Sequence, residues 1–455
     1  MVAINRIIAI VFAVAMCLAL VEILTPGAMW SNVYRGVLDT FSGWRSTDGT
    51  ATQTQGNTTE IERSLKKKKT ERYLSVRAVQ IDGVDCKAVI EGDKEQLEKA
   101  NKVERENAKS PENDKSIQLA ARTCSSFVQR YGFINDSLTD MEETFPLAFS
   151  ILTYKDAAQV VFLLRAIYRP QNSYCIHVDK KSDSSFRDAI RAVTDCLPGV
   201  FMTSHSIDVR WGTFTVLEPE IVCMQDLWNH SKSWRYFINL TGQEFPLRTN
   251  YELVKILKAF NGANDVHGFD PNSAFQGRWR GRLPAPHNLT VYAGGVHVTL
   301  SRGFVDFILH NRTAQDFLNW TRRIGVPDES FFNTLNYNPQ LRVPGGFKGS
   351  LKEKNAQHLI PFLSRWKNWV QSSGVPCPGR KVIRQLCIFS ALDIPFLSKQ
   401  PHFFANKFYQ DYSRVALGCL AEDIFNRTRD ETLGRRDFNV SYYENIPKIK
   451  DKLTF

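Results

Sequence analysis

Two metal-binding signatures are missing from these 455 residues. No Asp-x-Asp pair occurs anywhere, and none of the nine cysteines sits in a Cys-x-x-Cys or at zinc-like spacing from a histidine. The first absence removes the acidic pair that usually grips a divalent metal at a strand end, and the second removes a zinc site. No recognition-helix or RNA-binding signature accompanies the net charge of +11, so nucleic acid is not indicated as a partner. The basic residues are mostly dispersed, which suits a phosphorylated ligand or an anionic membrane surface. The one basic block, Lys66–Lys69, has no aromatics among it and reads as a solvated linker. No internal repeat is present. Long apolar runs are equally scarce, and only Ile7–Val21 is uninterrupted.

That run is short for a membrane span, which wants about 20 residues. Ile23 and Leu24 extend it if Glu22 reaches the interface. No convincing small-x-small cleavage site follows, so an uncleaved signal-anchor over residues 7–24, with a cytoplasmic tail at 1–6, is expected in preference to a cleaved signal peptide. Positive charge before the run places the rest of the chain in the lumen. Residues 25–116 are polar and weakly periodic and read as a stem, with one helix expected over Asp93–Glu106. Over residues 117–455 the apolar content rises and stays high, enough for one large domain plus extras, or two domains.

The domain opens on FPLAFSILTYKDAAQVVFLLRAIYRPQNSYCIHVDKK, Phe145 to Lys181. Pro146–Thr153 reads as a buried strand. Asp156 then starts a helix with Val160, Leu163, Leu164 and Ile167 on one face, and Pro170 stops it. Ser173–Val178 reads as a second strand. The three make a right-handed βαβ unit, in which ligands sit beyond the carboxyl ends of the strands. Tyr154 and Asp179–Lys181 therefore share one crevice. Helices over Phe186–Cys196, Val216–His230 and Tyr251–Phe260 alternate with strands over Gly199–Thr203 and Trp234–Leu240. Leu289–Leu300 and Phe304–His310 repeat the strand–helix theme less cleanly. Alternation of this kind predicts an α/β fold with a mainly parallel, doubly wound sheet.

Cys17 lies in the apolar run, which leaves eight cysteines downstream of a targeting segment: Cys86, Cys124, Cys175, Cys196, Cys223, Cys377, Cys387 and Cys419. An even number in that position fits disulfides, whose pairing the sequence alone does not give. Nine Asn-x-Ser/Thr acceptors agree with a lumenal location: Asn57, Asn135, Asn229, Asn239, Asn288, Asn311, Asn319, Asn426 and Asn439. Asn239 falls in an expected buried strand.

A lumenal α/β enzyme with a strand-end crevice and a basic surplus suits transfer of a sugar from a nucleotide. Without an acidic pair for a metal, fixed cations must stabilise the departing diphosphate. Arg384, before the apolar Leu386–Phe389, and Lys407, in FFANKF, are the candidates, against the plainer reading of surface charge. The acceptor hydroxyl needs a base. Glu329, in VPDESFF, is placed for it if Pro327 and Asp328 start a helix and set Glu329 in the first turn, although a capping carboxylate has the same signature. Trp211, Arg278, Trp279 and Trp366 read as loop residues of the kind that stack on sugar or base rings, with core packing the alternative for each tryptophan.

Longer stretches now become recognisable. FPLAFSILTYK, LLRAIYRPQNSYCIHVDKKS, CMQDLW, WRYFINLTGQEFPLRTN, VPDESFFNTL, RQLCIFSALD and HFFANKF follow one another in an order and register that resembles the core 2/I-branching β-1,6-N-acetylglucosaminyltransferases. The resemblance runs from about Cys86 to about Leu433 and is poorer over residues 262–290. Peptide O-xylosyltransferases, of the same wider family, share the QNxYCIHVD theme.

The resemblance implies a single-pass type II protein of the Golgi membrane with a GT-A-like domain, no metal and no other cofactor. It implies donor contacts at Leu152, Thr153, Tyr154, Asp179, Lys180, Lys181 and Trp211, with Arg384 and Lys407 on the diphosphate. Glu329 would be the catalytic base, joined by Arg278 and Trp366 in acceptor binding. The cysteines would pair Cys86–Cys419, Cys124–Cys196, Cys175–Cys223 and Cys377–Cys387. Partners would be a UDP-sugar, O-glycosylated glycoproteins and a second copy of the chain. Tyr154-Lys155 replaces a His-His pair, Gly212-Thr213-Phe214 replaces Ala-Ser-Trp, and Thr241 replaces a cysteine. These departures line the substrate sites, so N-acetylglucosamine is expected as the sugar with glucose as the alternative. The rival readings are a xylosyltransferase of proteoglycan cores and a non-catalytic lumenal lectin or scaffold.

Overall fold

The strand that opens the domain, β1 (Leu147–Thr153), is buried except at Leu152, and its two faces feed two different cores. Leu147, Phe149 and Ile151 pack with the helices Ala157–Ile167, Ser184–Cys196 and Asn250–Phe260. Ala148 faces the opposite core, built from the helices Glu218–His230, Arg302–His310 and Arg312–Thr321. Side chains alternate along a strand, so helices on both sheet faces require a run that is apolar throughout. Phe149 is 1% exposed, and removing its ring would cost about 3–5 kcal/mol.

These observations come from a computed structural model that describes residues 80–454, apart from 107–111, 273, 280, 282–283 and 352–359, together with Glu71 and Val76. The expected tail and signal-anchor at 1–24, Cys17, Asn57 and the lysine block lie outside the described residues. Among the described residues no helix is long and apolar enough to cross a membrane.

The other strands are β2 (Ser173–Val178), β3 (Val200–Met202), β4 (Tyr236–Thr241), β5 (Glu244–Pro246), β6 (Asp265–Gly268), β7 (Gly294–Ser301), β8 (Arg365–Lys367), β9 (Val382–Ile383), β10 (Leu386–Cys387) and β11 (Phe404–Asn406). The central sheet runs β3-β2-β1-β4-β7-β6. β3, β2, β1 and β4 are parallel, and β7 enters antiparallel between β4 and β6. The sheet is thus mainly parallel, as expected, with a reversed strand beside its centre. Pairing of Thr153 with Val178 and of Leu152 with Thr241 brings three carboxyl ends level, and this edge is the floor of the site.

A second sheet, β5-β11-β8, stands beside that edge and carries Glu244, Arg365 and Asn406 into the interior. Four disulfides close the fold: Cys86–Cys419, Cys124–Cys196, Cys175–Cys223 and Cys377–Cys387, the pairing that the resemblance implies. Part of the stretch expected as stem is folded. Helices Cys86–Glu91 and Lys94–Glu106 pack against the helix Arg414–Thr432 in a third apolar core.

Candidate active site

The level strand ends open into a cleft of about 170 Å³ lined by Leu152, Thr153, Tyr154, His177, Asp179 and Gln243, among others. Backbone bonds weld its floor: Asp179 N donates to Thr153 O at 3.0 Å and Gly242 N to Leu152 O at 3.0 Å. Lys180 N donates to Ile207 O at 2.9 Å, tying the β2 end to the loop that follows β3. His177 is buried, and burial lowers its pKa to about 4, so the neutral ring accepts from Ile207 N at 2.9 Å. Lys181 is matched rather than free, with Nζ 3.1 Å from Asp179 and 2.8 Å from Asp208. Trp211 is 77% exposed on the same loop, a costly place for an indole unless something covers it.

That loop is also the wall shared with the candidate base. Val209 and Val216 line the cleft, while Gly212 O accepts from Val326 N at 3.0 Å. Val326 sits at φ +50°, a conformation that β-branched residues rarely hold, and it launches the turn Pro327–Glu329. The sequence suggests a helix with Glu329 in its first turn. Instead a single 3₁₀ turn ends at Ser330, and the helix proper is Phe331–Asn336. Its phenylalanines are buried in the core, which anchors the turn. Glu329 faces Arg278, with Oε2 and Nη2 2.5 Å apart. Gly325 N donates to Arg278 O at 3.0 Å, so the two residues are also joined through backbone. The preceding Asp328 is 9% exposed, and burial, then the charge of Glu329, pushes its pKa up to about 7.

The two proposed phosphate-binding cations come from short, irregular elements. Arg384 and Gln385 form the two-residue turn between β9 and β10, at φ +49° and +67°. Positive φ at both positions is the pattern of a type I′ turn, which normally takes Asn-Gly. The Cys377–Cys387 bridge and the bond from Val370 N to Gln385 O, at 3.1 Å, hold this hairpin. Lys407 follows β11; burial lowers its pKa, as do the like charges of Arg384 and Lys155, against the pull of Glu244.

Beneath lies a buried polar layer that sequence reading did not single out. Glu244 is 1% exposed, with its oxygens 2.8 Å from Arg365 Nε and 2.6 Å from His297 Nε2. Burial alone would raise its pKa, but Arg365 and His297 hold it at about 2. Thr241 and Asn406 also donate to it, at 3.2 and 3.1 Å. Lys367, on β8 beside this layer, feels Glu244, Glu329 and Lys407, and burial brings its pKa down to about 8. The neighbouring Trp366 points to the other face of the strand, onto Phe396 and His402, with a buried indole N–H that has no partner. It is therefore part of a strand and its core, not the exposed loop the sequence suggests; Trp279 is half-buried.

The structure thus gathers Leu152–Tyr154, Asp179 and Lys181 at one cleft, and ties Trp211, Arg278 and Glu329 to its wall. Lys155 joins them, as its place among the sequence departures implies, and Gln243, Tyr409, Asp328 and Lys367 join them unannounced. Tyr409 was hidden because it meets Tyr154 only across the fold, through a side-chain hydrogen bond that helps burial raise its pKa.

Comparison with known proteins bears on what this site does. The family model for Core-2/I-branching enzymes matches residues 147–396. A Danio rerio protein named beta-1,3-galactosyl-O-glycosyl-glycoprotein beta-1,6-N-acetylglucosaminyltransferase 4 is 32% identical over 384 residues, 79% of this chain and 88% of the relative. A Homo sapiens protein with the same name but no number is 31% identical over 388 residues, 77% of this chain and 89% of the relative. A bovine herpesvirus 4 protein so named is 30% identical over 376 residues, 77% of this chain and 84% of the relative.

Proposed function

We infer the reaction from one premise: the chain belongs to the Core-2/I-branching enzyme family and is a hexosyltransferase. We propose that it takes N-acetylglucosamine from its UDP derivative and joins it, with inversion, to the 6-hydroxyl of the GalNAc in Galβ1-3GalNAc on serine or threonine. The relatives' names support both substrates. Glucose is the alternative sugar.

The observation that carries the reading is the Pro327–Glu329 turn, held against the cleft wall by Gly212 and facing Arg278. The Glu329 carboxylate takes the proton of the acceptor 6-hydroxyl as that oxygen attacks the anomeric carbon. The bond from that carbon to the β-phosphate oxygen breaks, and its electron pair leaves with UDP. Arg384 and Lys407 meet the charge that develops there, so no divalent metal is required. Leu152–Tyr154, Asp179–Lys181 and Trp211 hold the uridine and ribose. Arg278 serves the acceptor, while the Trp366 ring stays packed on Phe396 and His402 behind the site. The enzyme works in the Golgi lumen, anchored by residues 7–24.

Incubation with UDP-N-acetylglucosamine, UDP-glucose and UDP-xylose, each with a core 1 glycopeptide and a proteoglycan-core peptide, tests this. Transfer from the first to the core 1 acceptor, undiminished by EDTA, is expected. Transfer from UDP-xylose to peptide serine, or abolition by chelator, refutes it.

A further inference from the structure

The Tyr409 ring is surrounded by cations. Lys155 Nζ lies 4.9 Å from its centroid, Lys381 Nζ 5.7 Å and Lys407 Nζ 5.8 Å. Lys381 also stands 4.3 Å from the Tyr412 ring, and Lys155 5.8 Å from the Tyr154 ring. Arg384 is the fourth, since its charge acts on both Tyr409 and Lys407. The four arrive from three distant segments: the end of β1, the hairpin β9–β10 and the end of β11.

Like charges around one ring repel, as Lys407 feels both Arg384 and Lys155, and aromatic faces offset only part of that. Among the described residues none of the four is ion-paired with a carboxylate. The acids nearby are otherwise engaged or stand off. Asp156 caps its helix through Gln159 N, and Asp411 acts on Tyr409 and Asp156. Glu244 acts on Lys407, but its oxygens already serve Arg365, His297 and Asn406. A cluster built this way is incomplete without an anion of more than one charge. Lys155 opens it to the cleft, whose lining it shares with Tyr154 and Asp179.

We propose that Lys155 and Lys381 complete a four-cation clamp for the donor diphosphate, with Tyr409 as the spacer that keeps the ammonium groups apart. The inference rests on the reading of Arg384 and Lys407 given above and extends it to two further residues. The free nucleoside diphosphate carries more negative charge than the same diphosphate esterified to a sugar. Four fixed cations therefore bind the product more tightly than the donor, and UDP is a strong product inhibitor whose grip loosens with salt.

Titration of the full chain with UDP and with uridine, in EDTA, tests the clamp. Lys155→Met and Lys381→Met are expected to weaken UDP binding roughly tenfold each and to leave uridine binding unchanged. Lys155→Arg is expected to restore most of the loss, and UDP affinity in Lys155→Met to depend less on salt. Lys155 is exposed, so its variants should fold; a thermal melt checks each. If both Met variants bind UDP within twofold of wild type while Lys407→Met does not, the clamp has only two members and the inference fails. If wild type binds UDP no better than uridine, the diphosphate reading itself fails.

Discussion

Glu329 and Arg278 meet at 2.5 Å at the end of a turn whose start, Val326, is held by Gly212. The carboxylate is thus placed by its partner and its backbone together. Glu329→Gln keeps an oxygen for Arg278 and removes the proton acceptor. Turnover is expected to fall by about 10²–10⁴-fold with UDP affinity unchanged, measured by sugar transfer and by UDP titration. Retained turnover would mean that another group takes the proton.

Gly242 sits where β4 turns under the cleft. A Cβ there would meet Thr153 Oγ1 at 2.6 Å and Val160 Cγ2 at 3.3 Å. Thr153 must turn or β1 must give way, and Thr153 lines the cleft proposed to hold the donor. Gly242→Ala is expected to cost about 1–3 kcal/mol in stability and to raise the donor KM more than the acceptor KM. Thermal melting and initial-rate kinetics check both, and an unchanged donor KM would separate this floor from the donor.

Much of this was legible in the sequence. The helix Ala157–Ile167 shows its 3.6-residue period and its Asp156 cap, and β1, β2 and β4 are long enough to read as buried runs. The reversed direction of β7 was not, because apolar content does not encode strand direction. The sheet β5-β11-β8 was invisible for a different reason: each strand is three residues long, too short for a period to declare itself. Its buried charges, Glu244 and Arg365, look like surface residues until the fold pairs them. Lys155 and Tyr409 stand far apart in the chain, so no local pattern brings them together. Trp366 illustrates the opposite failure, since an aromatic beside two cations has the same appearance in a loop as in a core strand.

The Cys86–Cys419 bridge spans a sequence separation of 333 residues and fastens the amino-terminal helices to the helix Arg414–Thr432. A loop this long constrains the unfolded chain strongly. Replacing both cysteines by serine is expected to cost about 2–5 kcal/mol. Val89 and Ala100 still hold the helices by apolar contact, so the fold should survive at low temperature. On warming, limited proteolysis should cut first within residues 86–106, before UDP binding is lost. Simultaneous loss of both would show that these helices and the cleft unfold as one unit.

One further carboxyl group lies buried, on the helix Glu218–His230. Glu220 is 6% exposed, between Ser150 Oγ at 2.7 Å and Asn239 Nδ2 at 3.3 Å. Burial pushes its pKa from 4.5 up to about 8, although both hydrogen bonds pull the other way. Between those values the folded protein keeps a proton that the unfolded chain has given up. Its contribution to stability is therefore full below about pH 4.5 and fades as pH rises towards 8. The buried histidines work in the opposite sense: His177, with its pKa lowered by burial, favours folding less as pH falls below 6.5. The two trends overlap, so the whole-protein curve does not isolate either. Glu220→Gln does, because the amide cannot ionise and keeps the shape of the neutral acid. Its Tm relative to wild type is expected to rise steadily from pH 5 to pH 8, measured by thermal melts in matched buffers. A difference that stays flat over that range would mean that Glu220 is ionised in the folded protein as it is in the unfolded chain.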